Sequence, residues 1–313
     1  MGVASVLESI LIIGFMIGIG VLLTKFVNFN KETRNLLIIL IVNIAMPCII
    51  LSSILHFQID ERIFKDIIVI FFLSVGVNIL GIASGCLLSK GIKVSSQKAR
   101  EISILSGLGN TGFIGVPLCA VLFGAKGAFF AAVFDAGVVF TLWTFGVIIL
   151  QKPVYFSFGG LKSLINPPLV AIVIGLIIAY FNLQLPDIFV LLTDKLANLA
   201  SPLAMFYIGM LVSDLWKKRS HIPLQNIGIP IITKLLLLPI ITILILKYLK
   251  LDEDLSYVVL LASTMPTLTS ASIVFAKYKA DEEMGASVTV YSTVFSLFTI
   301  PVIVFFLGML LYH

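Results

Sequence analysis

Two short stretches carry most of the chemistry available to this chain. One is GLGNTGFIGVPL, residues 107–118, and the other is STMPTLTS, residues 263–270. Each sets a proline inside an apolar run, among glycines or hydroxyl residues. Proline has no N–H, and its ring crowds the carbonyl four residues back. Pro117 therefore removes the partner of the Phe113 carbonyl, and Pro266 that of Ala262. In hydrocarbon a freed carbonyl must find a donor within the protein or in a wet cavity. Asn110 and Thr111 stand beside the first break, and Ser263, Thr264, Thr267 and Thr269 flank the second. Half-helices that begin at such breaks present free N–H groups and a positive dipole end. The expected chemistry is the binding of an anion, a carboxylate in particular. The candidate residues are Asn110, Thr111, Gly112, Pro117, Thr264, Met265, Pro266 and Thr267. The alternative is that these prolines and glycines are kinks and packing points, which are common in membrane helices.

Ionisable residues inside apolar runs form the second group. A charge at a bilayer centre costs about 2.5–3.5 kcal/mol even on the lenient insertion scale, so it is read as functional first. Asp135, in AAVFDAGVV, suits a proton carrier. Lys234, in IITKLLLLP, suits either the neutralisation of a bound anion or a pair with Asp135. A structural ion pair is the rival reading for both. Asn43 and Asn198 each lie four residues before a proline, Pro47 and Pro202, which frees their own backbone carbonyls. These carbonyls and amides either line the binding site or bind a cation, or else the amides cap their own kinks.

The elements that must hold these residues are set by composition. The chain has 313 residues, 59% hydrophobic and 12% charged. A soluble domain carries about a quarter charged residues. Lipid is therefore the solvent. Hydropathy predicts ten spans, at 6–24, 35–55, 66–88, 102–123, 128–150, 166–182, 188–213, 224–247, 256–276 and 286–311. The first has no basic region before it and reads as a span rather than a leader. Cys48, Cys86 and Cys119 all fall in spans and read as small buried hydrophobes. His56, His221 and His313 fall in gaps or at the terminus and read as solvated. No metal-ligand spacing, nucleophile elbow or phosphate loop is present, so neither an enzyme nor a cofactor is expected.

The net charge of +5 does not point to nucleic acid. Basic residues gather in alternate gaps, around 25–34, 90–100, 152–162, 217–219 and 277–279. Basic loops stay cytoplasmic, which places both termini outside.

An internal repeat is also visible. NIAMP (43–47) matches NLASP (198–202), and GAFFAAVFDAGVVFTL (127–142) matches GASVTVYSTVFSLFTI (285–300). Pro117 and Pro266 pair at a similar offset. A five-span unit copied once must re-enter the membrane from the other side, because five is odd. The expected organisation is a first repeat over 1–150, a basic cytoplasmic linker at 151–165 and an inverted repeat over 166–313. That is the architecture of many secondary transporters.

NTGFIGVPL and STMPTLTSASIVFAKY together resemble the auxin efflux carrier family, which includes plant PIN-FORMED carriers and bacterial organic-anion permeases. The resemblance runs from NIAMP to FTIPV, and this chain lacks the long central loop of the plant carriers. The resemblance implies an all-α, ten-span fold similar to bile acid–sodium symporters. It implies a scaffold of spans one, two, six and seven beside a moving domain of spans three to five and eight to ten. The broken fourth and ninth helices would cross at the substrate, with Asn110 on a carboxylate. Similar proteins are homodimers that work by an elevator motion. The resulting expectation is a carrier for a small organic anion in the cytoplasmic membrane, either coupled to protons, with Asp135 the first candidate, or uncoupled from any ion. A sodium-coupled symporter is the nearest rival. A channel would need a continuous polar pore, and the spans show few polar stripes.

Overall fold

The computed structural model describes residues 3–56, 61–92, 94–151, 166–181, 183–217, 223–249 and 251–310. From residue 152 on, the linker read at 151–165 lies outside them, as do His221 and His313. Apart from one isolated bridge, the regular structure among the described residues is helical. Six helical runs are long and apolar enough to cross a membrane: Glu32–Leu55, Glu61–Gly91, Thr111–Leu150, Asp187–Ser213, Leu224–Leu249 and Glu282–Ile303. Leu11–Leu23 and Pro167–Tyr180 are shorter apolar helices. Side chains such as Phe15, Phe72, Ile188 and Phe298 stand exposed on them. Exposed apolar surface on this scale suits lipid as solvent.

The helices are α1 (Val3–Leu23), α2 (Lys31–Ile39), α3 (Met46–Leu55), α4 (Glu61–Gly91), α5 (Ser96–Gly107), α6 (Val116–Thr141), α7 (Val147–Leu150) and α8 (Pro167–Tyr180). They continue as α9 (Asp187–Ala197), α10 (Ala200–Lys217), α11 (Leu224–Ile232), α12 (Leu238–Leu249), α13 (Glu253–Ser263), α14 (Ala271–Lys277) and α15 (Glu282–Leu310). Wider π-turns join several of them. Three of these turns end two residues before a proline: Leu40–Ala45 before Pro47, Thr111–Gly115 before Pro117, and Thr233–Leu237 before Pro239. A proline leaves one carbonyl without its usual donor. The π register, seen in the Leu238 N–H to Thr233 carbonyl bond, absorbs the mismatch by adding a residue to the turn. It also re-aims the side chains in the turn, Lys234 among them.

The 40-residue run Thr111–Leu150 would be about 60 Å long as one rod, twice the hydrocarbon thickness. It is not one rod. Gly124 takes φ 68°, ψ −160°, a backbone region essentially reserved for glycine, and breaks the helix there.

The chain forms two compact units. The first holds Met1–Ile70, Gly112–Val133 and Ile165–Arg219, and the second Phe71–Thr111, Phe134–Leu164 and Ser220–His313. Each therefore draws segments from both halves of the sequence.

In the first unit α1 lies on α10 and α3 on α8 and α9. Gly20 faces the backbone of Phe206, and Gly209 faces that of Ile17. Lipid offers no hydrophobic drive between helices, so small residues that let backbones touch supply the packing. Thr24 Oγ1 and Ser213 Oγ share a hydrogen bond of 2.8 Å along this seam. Ser52 Oγ donates to Asp194 at 2.6 Å, and His56 Nε2 lies 3.5 Å from the same carboxylate. His56 is thus more than a solvated loop residue. Arg34 Nε donates to the buried Tyr207 hydroxyl at 3.0 Å, and the Tyr207 ring meets Phe113 edge-on at 4.7 Å.

In the second unit α11 packs on α5 and α15, and α14 on α15. Ile102, Leu105, Leu108, Val259, Met265, Phe275, Met284 and Val288 form its apolar core. Gly81 lies against Gly107, so α4 rides close on the end of α5. Ser74 Oγ donates to the Phe134 carbonyl at 2.6 Å, which pins α4 to α6.

Candidate functional site

The site is built inside the second unit, where two interrupted helices meet. Helix α5 stops at Gly107, and Leu108 is already extended (φ −92°, ψ 121°). Helix α13 stops at Ser263. The two extended pieces run antiparallel and bridge at Gly109 and Thr267. The Asn110 N–H donates to the Pro266 carbonyl at 2.7 Å, and the Leu268 N–H to the Leu108 carbonyl at 3.2 Å. Two strand-like bonds thus pair backbone groups that no helix serves, as a buried break requires.

The first break differs from the sequence expectation. It falls at Leu108–Asn110, seven residues before Pro117 at its nearer edge, and the chain is helical again from Thr111. Pro117 instead follows the π-turn Thr111–Gly115, and its carbonyl accepts the Ser201 hydroxyl at 2.9 Å within the first unit. Glycines set the break: Gly107 has no room for a methyl group against Ile82 and the Asn78 carbonyl. The second break does centre on Pro266. The Ala262 carbonyl, which Pro266 cannot serve, is reached by the Met265 N–H at 3.4 Å and by Thr111 Oγ1 at 3.5 Å.

The hydroxyls around the crossing are largely spent on backbone. Ser263 Oγ donates to the Leu260 carbonyl and Thr264 Oγ1 to Leu261, both at 2.7 Å. Thr267 Oγ1 donates to the Leu105 carbonyl at 3.0 Å, and its N–H donates to Ser292 Oγ at 3.1 Å. These bonds satisfy the last carbonyls of α13 and α5, which have no helical partner. The Met265 side chain is buried in the apolar core. Asn110 is different. Its Oδ1 takes a long contact of 3.5 Å from Thr269 Oγ1, and its Nδ2 is buried without a partner. Asn110 is only 5% exposed. A buried donor left unpaired is expensive, so Nδ2 is open to an acceptor.

Lys234 reaches the same crossing from the π-turn between α11 and α12. Its side chain is 1% exposed, and its Nζ donates to the Gly107 carbonyl at 3.4 Å. Asp135 also belongs to the second unit and is half-buried, one residue past the Phe134 carbonyl that holds Ser74. Asn43, Asn198, Pro47 and Pro202 belong to the first unit. Both asparagines are exposed: Asn43 lies in the π-turn before Pro47, and Asn198 ends α9, with Pro202 in the first turn of α10. Among the described residues no group of three or more His, Cys, Asp or Glu is placed to hold a metal ion.

Sequence reasoning missed one charged cluster of the second unit. Lys98 bonds Asp281 and lies 3.0 Å from Glu101 Oε2, and Glu101 Oε1 accepts the Asp281 N–H at 3.1 Å. Asp281 also caps α15 by accepting the Met284 N–H at 2.9 Å. Partial burial opposes charge on both Lys98 and Asp281, but their mutual bond outweighs it. Lys98 is raised and Asp281 lowered from their ordinary values. Glu101 was the available signal: a carboxylate at the edge of an apolar run that is 1% exposed in the fold.

The profile of a family described as "Membrane transport protein" matches residues 5–156 and 154–304. An uncharacterized transporter of Methanocaldococcus jannaschii is 26% identical over 306 residues, covering 94% of this chain and 96% of that one. An uncharacterized transporter of Methanothermobacter thermautotrophicus is 22% identical over 306 residues, with the same coverage of 94% and 96%.

Proposed function

Because this chain belongs to the membrane transport protein family, we propose that it is a secondary carrier for a small organic anion, a carboxylate. The observation that carries this reading is the unpaired Asn110 Nδ2 beside a crossing of two interrupted helices. A carboxylate oxygen is an acceptor-only partner for that amide. The helix that restarts at Thr111, the residue after Asn110, begins with its positive end at the break. Binding energy is concentrated at a point the chain has already paired and capped, so the ligand meets a preorganised site.

The carrier works in the cytoplasmic membrane, with both termini outside and ten spans arranged as two inverted repeats. It functions as a homodimer, and one compact unit moves against a fixed one in an elevator motion. Transport is driven by protons carried on Asp135. What supports these finer points is the sequence repeat, the charge pattern of the gaps and the family resemblance.

The test is uptake of radiolabelled malonate, malate and indole-3-acetate into proteoliposomes holding the purified chain. Saturable, slow uptake of at least one of them is the expected result. Channel-like conductance steps, or no uptake of any organic anion, would overturn it.

A further inference from the structure

The crossing concentrates negative charge. Helices α5 and α13 both end there, with their C-termini at Gly107 and Ser263. Each C-terminus carries about half a negative charge from its aligned peptides. Together they amount to about one elementary charge, buried where water cannot screen it. In secondary carriers, unwound carbonyls and half-helix C-termini of this kind coordinate a coupling ion.

In this chain a side chain stands there instead. The Lys234 Nζ is 3.4 Å from the carbonyl of Gly107, the last residue of α5. A methyl group placed on Gly109 would lie 3.0 Å from both Cε and Nζ of Lys234 and 3.6 Å from the Met265 carbonyl. The ammonium therefore sits at the end of α5 and beside Gly109, the residue that bridges to the stretch following α13. Its arrival depends on Pro239, which sets the π-turn that holds Lys234. It also depends on Gly109, which has no side chain in its way. Lysine has three donors. Among the described residues its one hydrogen-bond acceptor is the Gly107 carbonyl, so donors remain for a guest. An ammonium is a compact point charge with three rotatable donors.

We propose that the ammonium of Lys234 is a built-in cation, which neutralises the two helix C-termini so that the protein binds and moves its anion without a sodium ion. The proposal rests on the carrier reading for its consequence in transport, but its charge argument stands on geometry alone. One fixed positive charge replaces one mobile one. The anion held at Asn110 then meets a crossing whose negative ends are already balanced.

The test uses the full-length protein in detergent, with malonate as the carboxylate probe and thermal melting as the readout. Malonate is expected to raise the melting temperature of the wild type, and by the same amount in sodium chloride as in choline chloride of equal strength; without malonate the two salts give the same melting temperature. Lys234→Met is expected to melt lower in choline and to recover part of that loss in sodium, saturably, because the exposed carbonyls then take a mobile ion. A saturable sodium response in the wild type overturns the proposal, and so does a folded Lys234→Met that ignores sodium. If Lys234→Met does not fold, Lys234→Gln takes its place, since its amide still donates to the Gly107 carbonyl without the charge. The same two outcomes then decide. A wild type that ignores malonate counts against the carboxylate reading but leaves the sodium comparison intact, so the two ideas fail separately.

Discussion

The backbone N–H of Asn110 donates to the carbonyl of Pro266 at 2.7 Å, across 156 positions of chain. That bond, with its mate from Leu268 to Leu108, makes a two-rung piece of sheet where the regular structure of the described residues is otherwise helical. It fixes the backbone of Asn110 beside Pro266, so the side chain that carries the unpaired Nδ2 starts from a held position.

Asn110→Ala is expected to separate binding from stability. Nδ2 has no partner to lose, and the Thr269 contact to Oδ1 is long, so the melting temperature changes little. A hydrogen bond to a charged group is worth about 1.5–3 kcal/mol, so affinity for a carboxylate falls roughly ten- to a hundredfold. Isothermal titration and melting of the same sample check this. Unchanged affinity removes Asn110 from the site.

Asp135→Asn is expected to abolish uptake driven by a proton gradient in proteoliposomes, while leaving counterflow of substrate down its own gradient. Asp135 is the half-buried carboxylate of the fifth predicted span. If uptake by the variant still responds to the pH gradient, the proton passes elsewhere.

Gly124→Ala is expected to cost about 1–3 kcal/mol through the backbone alone, since φ 68°, ψ −160° is open only to glycine. A methyl group there would meet nothing within 4 Å, so crowding plays no part. Equilibrium unfolding in mixed micelles measures the loss. A variant as stable as the wild type would mean the helix can run on through this point.

The Lys98–Asp281 pair sets a pH window. Asp281 is held below its ordinary value, so its contribution is complete above about pH 4 and disappears as pH falls through the folded value. Lys98 is held above its ordinary value, so its contribution is complete below about pH 10 and is lost as pH rises through the folded one. Asp281→Asn should therefore melt below the wild type between those limits, and the gap should close at acid pH. Both side chains are partly exposed, at 29% and 33%, so the gap is modest and shrinks in salt. Melting curves across pH check the sign; a gap that widens in acid contradicts it.

Much of the site was legible in residue types. A proline in STMPTLTS and a glycine cluster in GLGNTGFIG each weaken a continuous helix, wherever the rest of the chain goes. A lysine amid IITKLLLLP must be buried or reach out of the membrane, and burial in protein is what the fold delivers. The exact place of the first break was not legible. Pro117 is the obvious breaker, but a proline within the first turns of a helix costs little. The π-turn before Pro117 absorbs the misfit, while Gly107 yields to the close approach of α4. The roles of Thr264 and Thr267 were not legible either. A hydroxyl is equally suited to a ligand or to an orphan carbonyl, and only the folded distances assign it to Leu261 or Leu105.

The amino-acid sequence by itself determined the solvent, the weak points of two helices and the presence of a charge among apolar residues, because these follow from local chemistry that no partner can alter. The tertiary structure alone decided which carbonyl each donor meets, that Lys234 ends beside Gly109, and that Asn110 keeps one donor unspent. Those outcomes depend on segments more than a hundred residues apart arriving within hydrogen-bonding distance, and no local pattern encodes that distance.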